Sequence, residues 1–306
     1  MMFTRLLRHI PATAALIAFL TPIAAHADIS VIDDSGHRIT LRSPAKRIVS
    51  LAPHVTELLF AAGAGKSVIA ATDQSDFPAA ALRLPSIGNG TRPDLERIAA
   101  LKPDLVVAWK SGINAQRITR LRALGIPVFL SEPRDFEQIA TSLERLARLA
   151  DSPQGKIEAD KFRKILSELR SRFAGRELVT VFYQIWSRPL MTLNDAHLTG
   201  QVLQLCGAKN IFGHLAQLAP VVSTEAVLQA DPAAIILTDS HKEALLRWRR
   251  HTQMRAVAGN QLLTVDGTLL NRATPRILQG TAILCDSVDR LRRVQIQSSS
   301  VPKEKQ

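Results

Sequence analysis

Residues 154–175 interrupt a rhythm that the rest of the chain keeps. Before them, apolar runs at 47–51, 67–71, 105–109 and 127–130 alternate with amphipathic stretches at 54–62, 95–101, 115–124 and 136–150. After them, the runs at 179–184, 234–237 and 262–265 alternate with helical patterns at 197–206, 224–230, 245–256 and 275–292. Strands that alternate with helices imply parallel sheets covered by helices. Gly63, Gly65, Gly125 and Gly207 stand where helices should stop, the position at which a left-handed residue closes the last turn. The interrupting segment carries Lys156, Glu158, Asp160, Lys161, Arg163, Lys164, Glu168 and Arg170, with Ile157, Phe162, Ile165 and Leu169 between them. As one amphipathic helix it would be about 33 Å long, enough to run from one lobe to another. An ordinary surface helix ending in a flexible loop is the alternative. A hairpin is expected at 29–41, where alternation brackets an Asp-Ser-Gly turn.

The first 27 residues stand outside this pattern. Arg5 and Arg8 precede an apolar run from about Ile10 to Ile23, and Ala25-His26-Ala27 follows as a small-x-small site. These are the parts of a secretory leader cleaved after Ala27. A membrane anchor is the competing reading, but the run is short for a span of roughly 20 apolar residues. No cysteine lies beside the cleavage site to take a lipid, and no later stretch is apolar and long enough to cross a bilayer. The leader predicts a periplasmic protein and removes two positive charges from a formal +12. What remains is basic but dispersed, clustering only at Arg247-Trp248-Arg249-Arg250 and after Arg290. With an export signal present, that argues for solvated faces, with a partial bias toward a negative membrane surface, and against nucleic acid. Cys206 and Cys285 are the only cysteines. In an oxidising compartment they most simply pair; two separate buried thiols are the alternative.

The two halves also share a unit. Thr224-Glu225-Ala226-Val227-Leu228 resembles Leu95-Glu96-Arg97-Ile98-Ala99, and each is followed by a proline (Pro103, Pro232) and a strand. One glutamate in a first turn needs no explanation beyond the helix dipole. Two of them, one per half, would occupy comparable places on one surface and suit arginines of a two-fold symmetric partner.

The run Arg47-Ile48-Val49-Ser50-Leu51-Ala52-Pro53-His54-Val55-Thr56-Glu57-Leu58-Leu59-Phe60, with Gly63 and Gly65, resembles the opening motif of the iron-chelate and cobalamin periplasmic binding proteins. The block from Leu95 to Gly112, Leu203-Gln204-Leu205-Cys206-Gly207 with Asn210-Ile211-Phe212, and Asn271-Arg272-Ala273-Thr274-Pro275-Arg276 are similar to later blocks of that family, in order, across residues 45–292. The resemblance implies an α/β fold of two Rossmann-like lobes joined by a single long rigid helix, the helical-backbone class III architecture. The expected division is a leader at 1–27, an N-terminal lobe at 28–153, a connecting helix at 154–176, a C-terminal lobe at 177–293 and a disordered tail at 294–306. It also implies cobalamin or a related corrinoid as transported cargo, with a ferric siderophore or haem as the alternative. It makes Glu96 and Glu225 the residues that dock on the permease dimer of an ABC importer, whose ATPase subunits lie on other chains. It pairs Cys206 with Cys285, and it implies a monomer.

Ligands of open parallel sheets lie beyond the strand C-termini. Trp109, Tyr183 and Trp186 stand at such ends, and Asp266, Asn271 and Arg272 follow the last strand. For each aromatic, core packing is the alternative to a cleft wall. Arg92 is either a contact at the rim or a solvated loop arginine. His54, at a helix start, is weighed as an axial metal ligand and read instead as a capping or amide-binding group, because corrins usually carry their own axial groups. Cobalamin-carrying members of the family have a tyrosine at the place of Gln74 and a tryptophan at that of Gly90, so two aromatic walls are missing here. His197, His214, His241 and His251 lack ligand spacing, so no bare-metal site and no cofactor is expected. An exported hydrolase is the reading from another class. The chain has neither a Gly-x-Ser-x-Gly elbow nor a phosphate-cradling lysine loop, and no enzymatic activity is expected.

Overall fold

The computed structural model describes residues 28–238 and 242–299. The expected leader at 1–27, His241 and residues 300–306 of the expected tail lie outside the described residues. The chain opens with an antiparallel hairpin, β1 (Ile29–Ile32) and β2 (Arg38–Leu41). The buried Asp33 carboxylate closes its turn, accepting the N–H groups of Ser35 at 2.8 Å and His37 at 2.9 Å. The other carboxylate oxygen accepts the Leu130 N–H at 3.1 Å and so ties the hairpin to the first lobe.

That lobe runs β3 (Ile48–Ser50), α1 (Pro53–Ala61), β4 (Val68–Ala71), α2 (Leu95–Ala100), β5 (Leu105–Trp109), α3 (Ala115–Ala123), β6 (Val128–Ser131) and α4 (Phe136–Ala150). Its strands are parallel, in the order β4-β3-β5-β6. After α5 (Gln154–Phe173), the second lobe begins with β7 (Val179–Gln184), a two-stranded ribbon of β8 (Trp186–Ser187) and β9 (Leu190–Met191), α6 (Leu198–Leu205) and β10 (Ala208–Asn210). It continues with α7 (Thr224–Ala230), β11 (Ala234–Thr238), α8 (Lys242–Trp248), α9 (Arg255–Ala258), β12 (Leu262–Val265), α10 (Gly267–Leu270) and α11 (Ile277–Ser299). Its parallel sheet has the order β10-β7-β11-β12. The two sheets therefore have the same topology, with β5 and β11 in equivalent places.

Strand residues point alternately to opposite faces, and three cores follow from this. Leu105 and Val107 of β5, Val181 and Tyr183 of β7, and Ala234 and Ile236 of β11 all enter one core that runs through both lobes. Val106 and Ala108 face a second core confined to the first lobe. Phe182, Ile235 and Leu237 face a third, confined to the other. The shared core exists because α5 supplies a single stripe, Ala159, Phe162, Leu166, Leu169 and Phe173, buried at three- and four-residue spacing. This helix packs on α1 and α4 of one lobe and on α6 and α11 of the other. Relative movement of the lobes would have to open that apolar seam, at about 25 cal/mol for each Å² exposed. Cys206, at the end of α6, is disulfide-bonded to Cys285 of α11.

The structure departs from the sequence reading in three places. The helix expected at 245–256 is two helices: the apolar spacing lapses at Arg249, Arg250 and His251, and the Arg255 N–H donates to Asp231 at 2.8 Å to start α9 separately. The closing helix continues to Ser299, through the first part of the expected tail. β10 and the β8–β9 ribbon had no periodic signal, since strands this short show no alternation. Among the described residues, no helix is long and apolar enough to cross a membrane.

Candidate functional site

Parallel strands deliver their C-terminal ends to one edge of each sheet, and in this molecule the two edges meet across a cleft of about 700 Å³. The first lobe contributes Pro53 and His54 from the start of α1, Gln74 and Asp76 from the loop after β4, Trp109 from the end of β5 and Glu132 after β6. From the second come His197 and Leu198 at the start of α6, and the stretch from Asp266 to Ala273 after β12. The volume lies within the range of pockets that enclose drug-sized ligands.

Trp109 is 42% exposed. Its indole Nε1 donates to Glu132 Oε1 at 3.3 Å, and the other oxygen of Glu132 accepts the Ser111 N–H at 2.9 Å. A side chain at Gly112 would run into the Trp109 indole, so glycine is what lets Trp109 lie across the loop that follows it. The His54 ring meets Trp109 edge-on, with centroids 5.8 Å apart and planes at 88°. The N-cap of α1 is Ala52, which makes no side-chain capping bond, and Pro53 fills the first turn. The capping role expected for His54 is therefore absent, because the residue is the second of α1 rather than its N-cap. Burial lowers the His54 pKa to about 4, with Glu132 opposing the shift and Arg272 adding to it. The imidazole is neutral over the physiological range.

On the opposite wall, His197 caps α6: its Nδ1 accepts the Thr199 N–H at 3.1 Å. Asp266 caps α10, and one carboxylate oxygen accepts from the Thr268 N–H at 2.8 Å and the Thr268 hydroxyl at 2.7 Å. Those bonds hold its pKa below the usual carboxylate range. Asn271 Oδ1 accepts the Tyr183 hydroxyl at 3.2 Å, which assigns the amide nitrogen to the other side, as a donor. Arg272 reaches across the cleft to the first lobe. Its Nη1 lies 2.8 Å from Glu57 Oε1 and 2.5 Å from Asp76 Oδ1, and its Nη2 lies 3.2 Å from Asp76 Oδ2. Arg276 grips the same Glu57 from Nε at 2.9 Å and Nη2 at 3.1 Å, and its guanidinium lies 4.0 Å over the Phe77 ring.

Trp109, His54, Asp266, Asn271 and Arg272 thus come together in one cleft. Tyr183 does not line it: the residue is completely buried in the shared core, because odd-numbered residues of β7 face the core that runs through both lobes. It acts on the cleft only by orienting Asn271. Trp186, on the exposed ribbon, and Arg92, on the loop before α2, are also outside the lining. Sequence reasoning missed Asp76, Glu132 and His197 as cleft residues, and Glu57 as their support. Strand-end position was the signal available for Glu132, directly after β6. Gln74 does line the cleft. At Gly90, an added Cβ would stand 2.7 Å from the Leu51 carbonyl oxygen, so this loop conformation has no room for the aromatic that cobalamin carriers place there.

Glu96 and Glu225 are exposed in the first turns of α2 and α7, behind the N-caps Asp94 and Ser223. Each helix leads into the equivalent strand of its sheet, β5 or β11, and neither carboxylate has an ion-pair partner among the described residues.

The sequence profile of the periplasmic binding protein family matches residues 48–269. The vitamin B12-binding protein of Vibrio cholerae serotype O1 is 36% identical over 245 residues, which are 79% of this chain and 88% of that protein. The crystal structure of the periplasmic vitamin B12 binding protein BtuF of Vibrio cholerae superposes with a TM-score of 0.76 at 34% identity, covering 81% of this chain and 98% of that one. The periplasmic heme-binding protein RhuT of Roseiflexus sp. RS-1 shares the fold, with a TM-score of 0.71 at 20% identity over 81% of this chain and 99% of its own.

Proposed function

The chain belongs to the periplasmic binding protein family, and from that premise we propose that it captures cobalamin or a related corrinoid in the periplasm and hands it to the permease of an ABC importer. Trp109 carries this reading: a half-exposed indole at the end of β5, facing a cleft between two lobes, with polar groups on the opposite wall. A corrin has a broad apolar face and a rim of amides. The indole suits the face, while the free oxygen of Asp266 and the amide donor of Asn271 suit the rim. A complete cobalamin is larger than the drug-sized molecules such a volume encloses. Part of it would stand outside, and we assign Trp186 and Arg92, both exposed, to that part. The 36% identity to a vitamin B12-binding protein supports the same cargo.

Delivery is assigned to Glu96 and Glu225. They are exposed, unpaired among the described residues and topologically equivalent, which is what docking onto arginines of a two-fold permease requires. The seam along α5 limits the lobes to small movements, so cargo is captured by a cleft that is already shaped. ATP would be hydrolysed on the partner subunits, and the chain itself acts as a monomer that performs no reaction on its cargo.

The test is to incubate the purified protein with cyanocobalamin, desalt it and record the visible spectrum with tryptophan fluorescence. Near-stoichiometric corrin absorbance and quenching that is lost in Trp109→Ala would sustain the reading. The second reading, haem or a ferric siderophore, is favoured by Gln74 and Gly90 standing where cobalamin carriers have aromatics. Retention of hemin or a ferric chelate by protein that lets cyanocobalamin pass through would select it.

A further inference from the structure

The cleft contains an imidazole lone pair that no described residue uses. His54 is part-buried, lines the cleft and makes no hydrogen bond through either ring nitrogen to a described residue. A neutral imidazole always keeps one nitrogen lone pair free. Polar side chains in such a place normally have partners, so an unpartnered one facing a binding cleft points to a partner that arrives with the cargo.

The other candidates are already committed. His197 accepts a backbone N–H at Nδ1, which places its proton on Nε2 and leaves no lone pair facing outward. Asp76 is paired with Arg272, and Glu132 accepts from Trp109 and Ser111. A single imidazole cannot hold a bare ion, and among the described residues no group of three or more metal-ligating side chains is assembled. It can complete the coordination of a metal that arrives already held in a macrocycle.

We propose that His54 is the axial ligand for the cobalt of a corrinoid that lacks its own lower base, such as cobinamide, so that the cleft accepts incomplete as well as complete corrinoids. This rests on the corrinoid reading above. The step is a ligand exchange with no redox change: the Co–OH₂ bond breaks, water leaves, and the imidazole lone pair forms a Co–N bond. The plane of an axial imidazole stands perpendicular to the macrocycle. The Trp109 ring is itself at 88° to His54, an orientation in which a ligated corrin can also lie parallel to the indole. The lowered His54 pKa keeps the lone pair unprotonated through neutral pH.

The experiment compares aquacobinamide, whose axial sites carry exchangeable water, with cyanocobalamin, whose two axial sites are filled. In wild type, bound aquacobinamide should take on the visible bands of the same corrinoid titrated with free imidazole. His54→Gln should bind it with unshifted bands and lose at least tenfold more affinity for it than for cyanocobalamin. The electron paramagnetic resonance spectrum of the cobalt(II) form on wild-type protein gives an answer independent of any variant: coupling to one axial nitrogen is expected. Bound aquacobinamide with unshifted bands and no nitrogen coupling overturns the proposal and leaves the corrinoid reading intact. So does a shift that survives His54→Gln and disappears in His197→Gln. Failure to retain either corrinoid overturns both.

Discussion

Arg272 of the C-terminal lobe donates to Glu57 of the N-terminal lobe at 2.8 Å, and that carboxylate is 3% exposed. With Arg276 on its second oxygen at 2.9 Å, one buried acid from α1 is gripped by two guanidinium groups from the other side of the cleft. Removing one partner of a buried pair costs about 3–5 kcal/mol, because the remaining charges are left without compensation. Glu57→Gln should therefore lower stability by about 3 kcal/mol in urea unfolding. Asp76→Asn should cost less than about 1 kcal/mol, since that carboxylate sits on the exposed rim where ion pairs contribute little. Equal losses from the two would show that burial does not set the strength of this cluster.

The disulfide closes a loop of 79 residues between α6 and α11. Chain entropy alone gives about 4.5 kcal/mol for such a loop. Replacing both Cys206 and Cys285 by alanine should lower the unfolding free energy by about 2–5 kcal/mol, measured as a shift in the denaturant midpoint. The fold should survive, because α11 keeps its shared core. An unchanged midpoint would place the constraint of the unfolded chain elsewhere.

His54 gives the cargo-free protein a pH-dependent stability. Its pKa is about 4 in the fold, set mainly by burial, against 6.5 for the free side chain. Between those values the unfolded chain binds the extra proton, so this stabilisation is complete above about pH 6.5 and lost as the pH falls toward 4. The lowering amounts to about 3 kcal/mol. The stability gap between wild type and His54→Gln should change by about that much across this window. Asp76, held low by its bond to Arg272, keeps its contribution through this window and loses it only at lower pH, in both proteins alike. A constant gap would mean that the imidazole protonates freely in the fold.

Trp109 should matter more for corrinoid capture than any other Phe, Tyr or Trp among the described residues, since of these it alone lines the cleft. Trp109→Ala is expected to weaken binding about tenfold or more, in line with about 1.4 kcal/mol of lost aromatic contact. Trp186→Ala should change affinity by less. Titration of cyanocobalamin against intrinsic fluorescence separates the two, and the reverse order would place the corrin on the β8–β9 ribbon.

Charge reversal of Glu96 and Glu225 together should abolish import while leaving affinity for cargo unchanged, because neither residue lines the cleft. Uptake by cells producing the double variant, beside equilibrium binding by the purified protein, provides the check. Normal uptake would end the docking assignment.

Local signals in the sequence were enough to place the strand–helix alternation, the long connecting helix and the strand-end positions of Trp109, Asp266, Asn271 and Arg272. Each depends on periodicity, glycine stops or order along the chain, and these survive folding unchanged. The break within 245–256 and the strand β10 were not legible, since the first depends on Asp231 anchoring a distant helix start and the second has too few residues to alternate.

What only the tertiary structure decided is which neighbour each polar side chain meets. Tyr183 and Trp109 lie on the same core-facing side of their strands, yet Tyr183 is buried in the shared core while Trp109, the last residue of β5, is exposed at the cleft. Glu57 reads as an ordinary helix residue until Arg272 and Arg276 arrive from more than two hundred positions away. His54, inside α1 and not at its N-cap, has no hydrogen-bond partner among the described residues. Backbone preference is local and can be read in order along the chain. Charge pairing, burial and the lone pair left over are properties of a packed interior, and they exist only after distant segments have met.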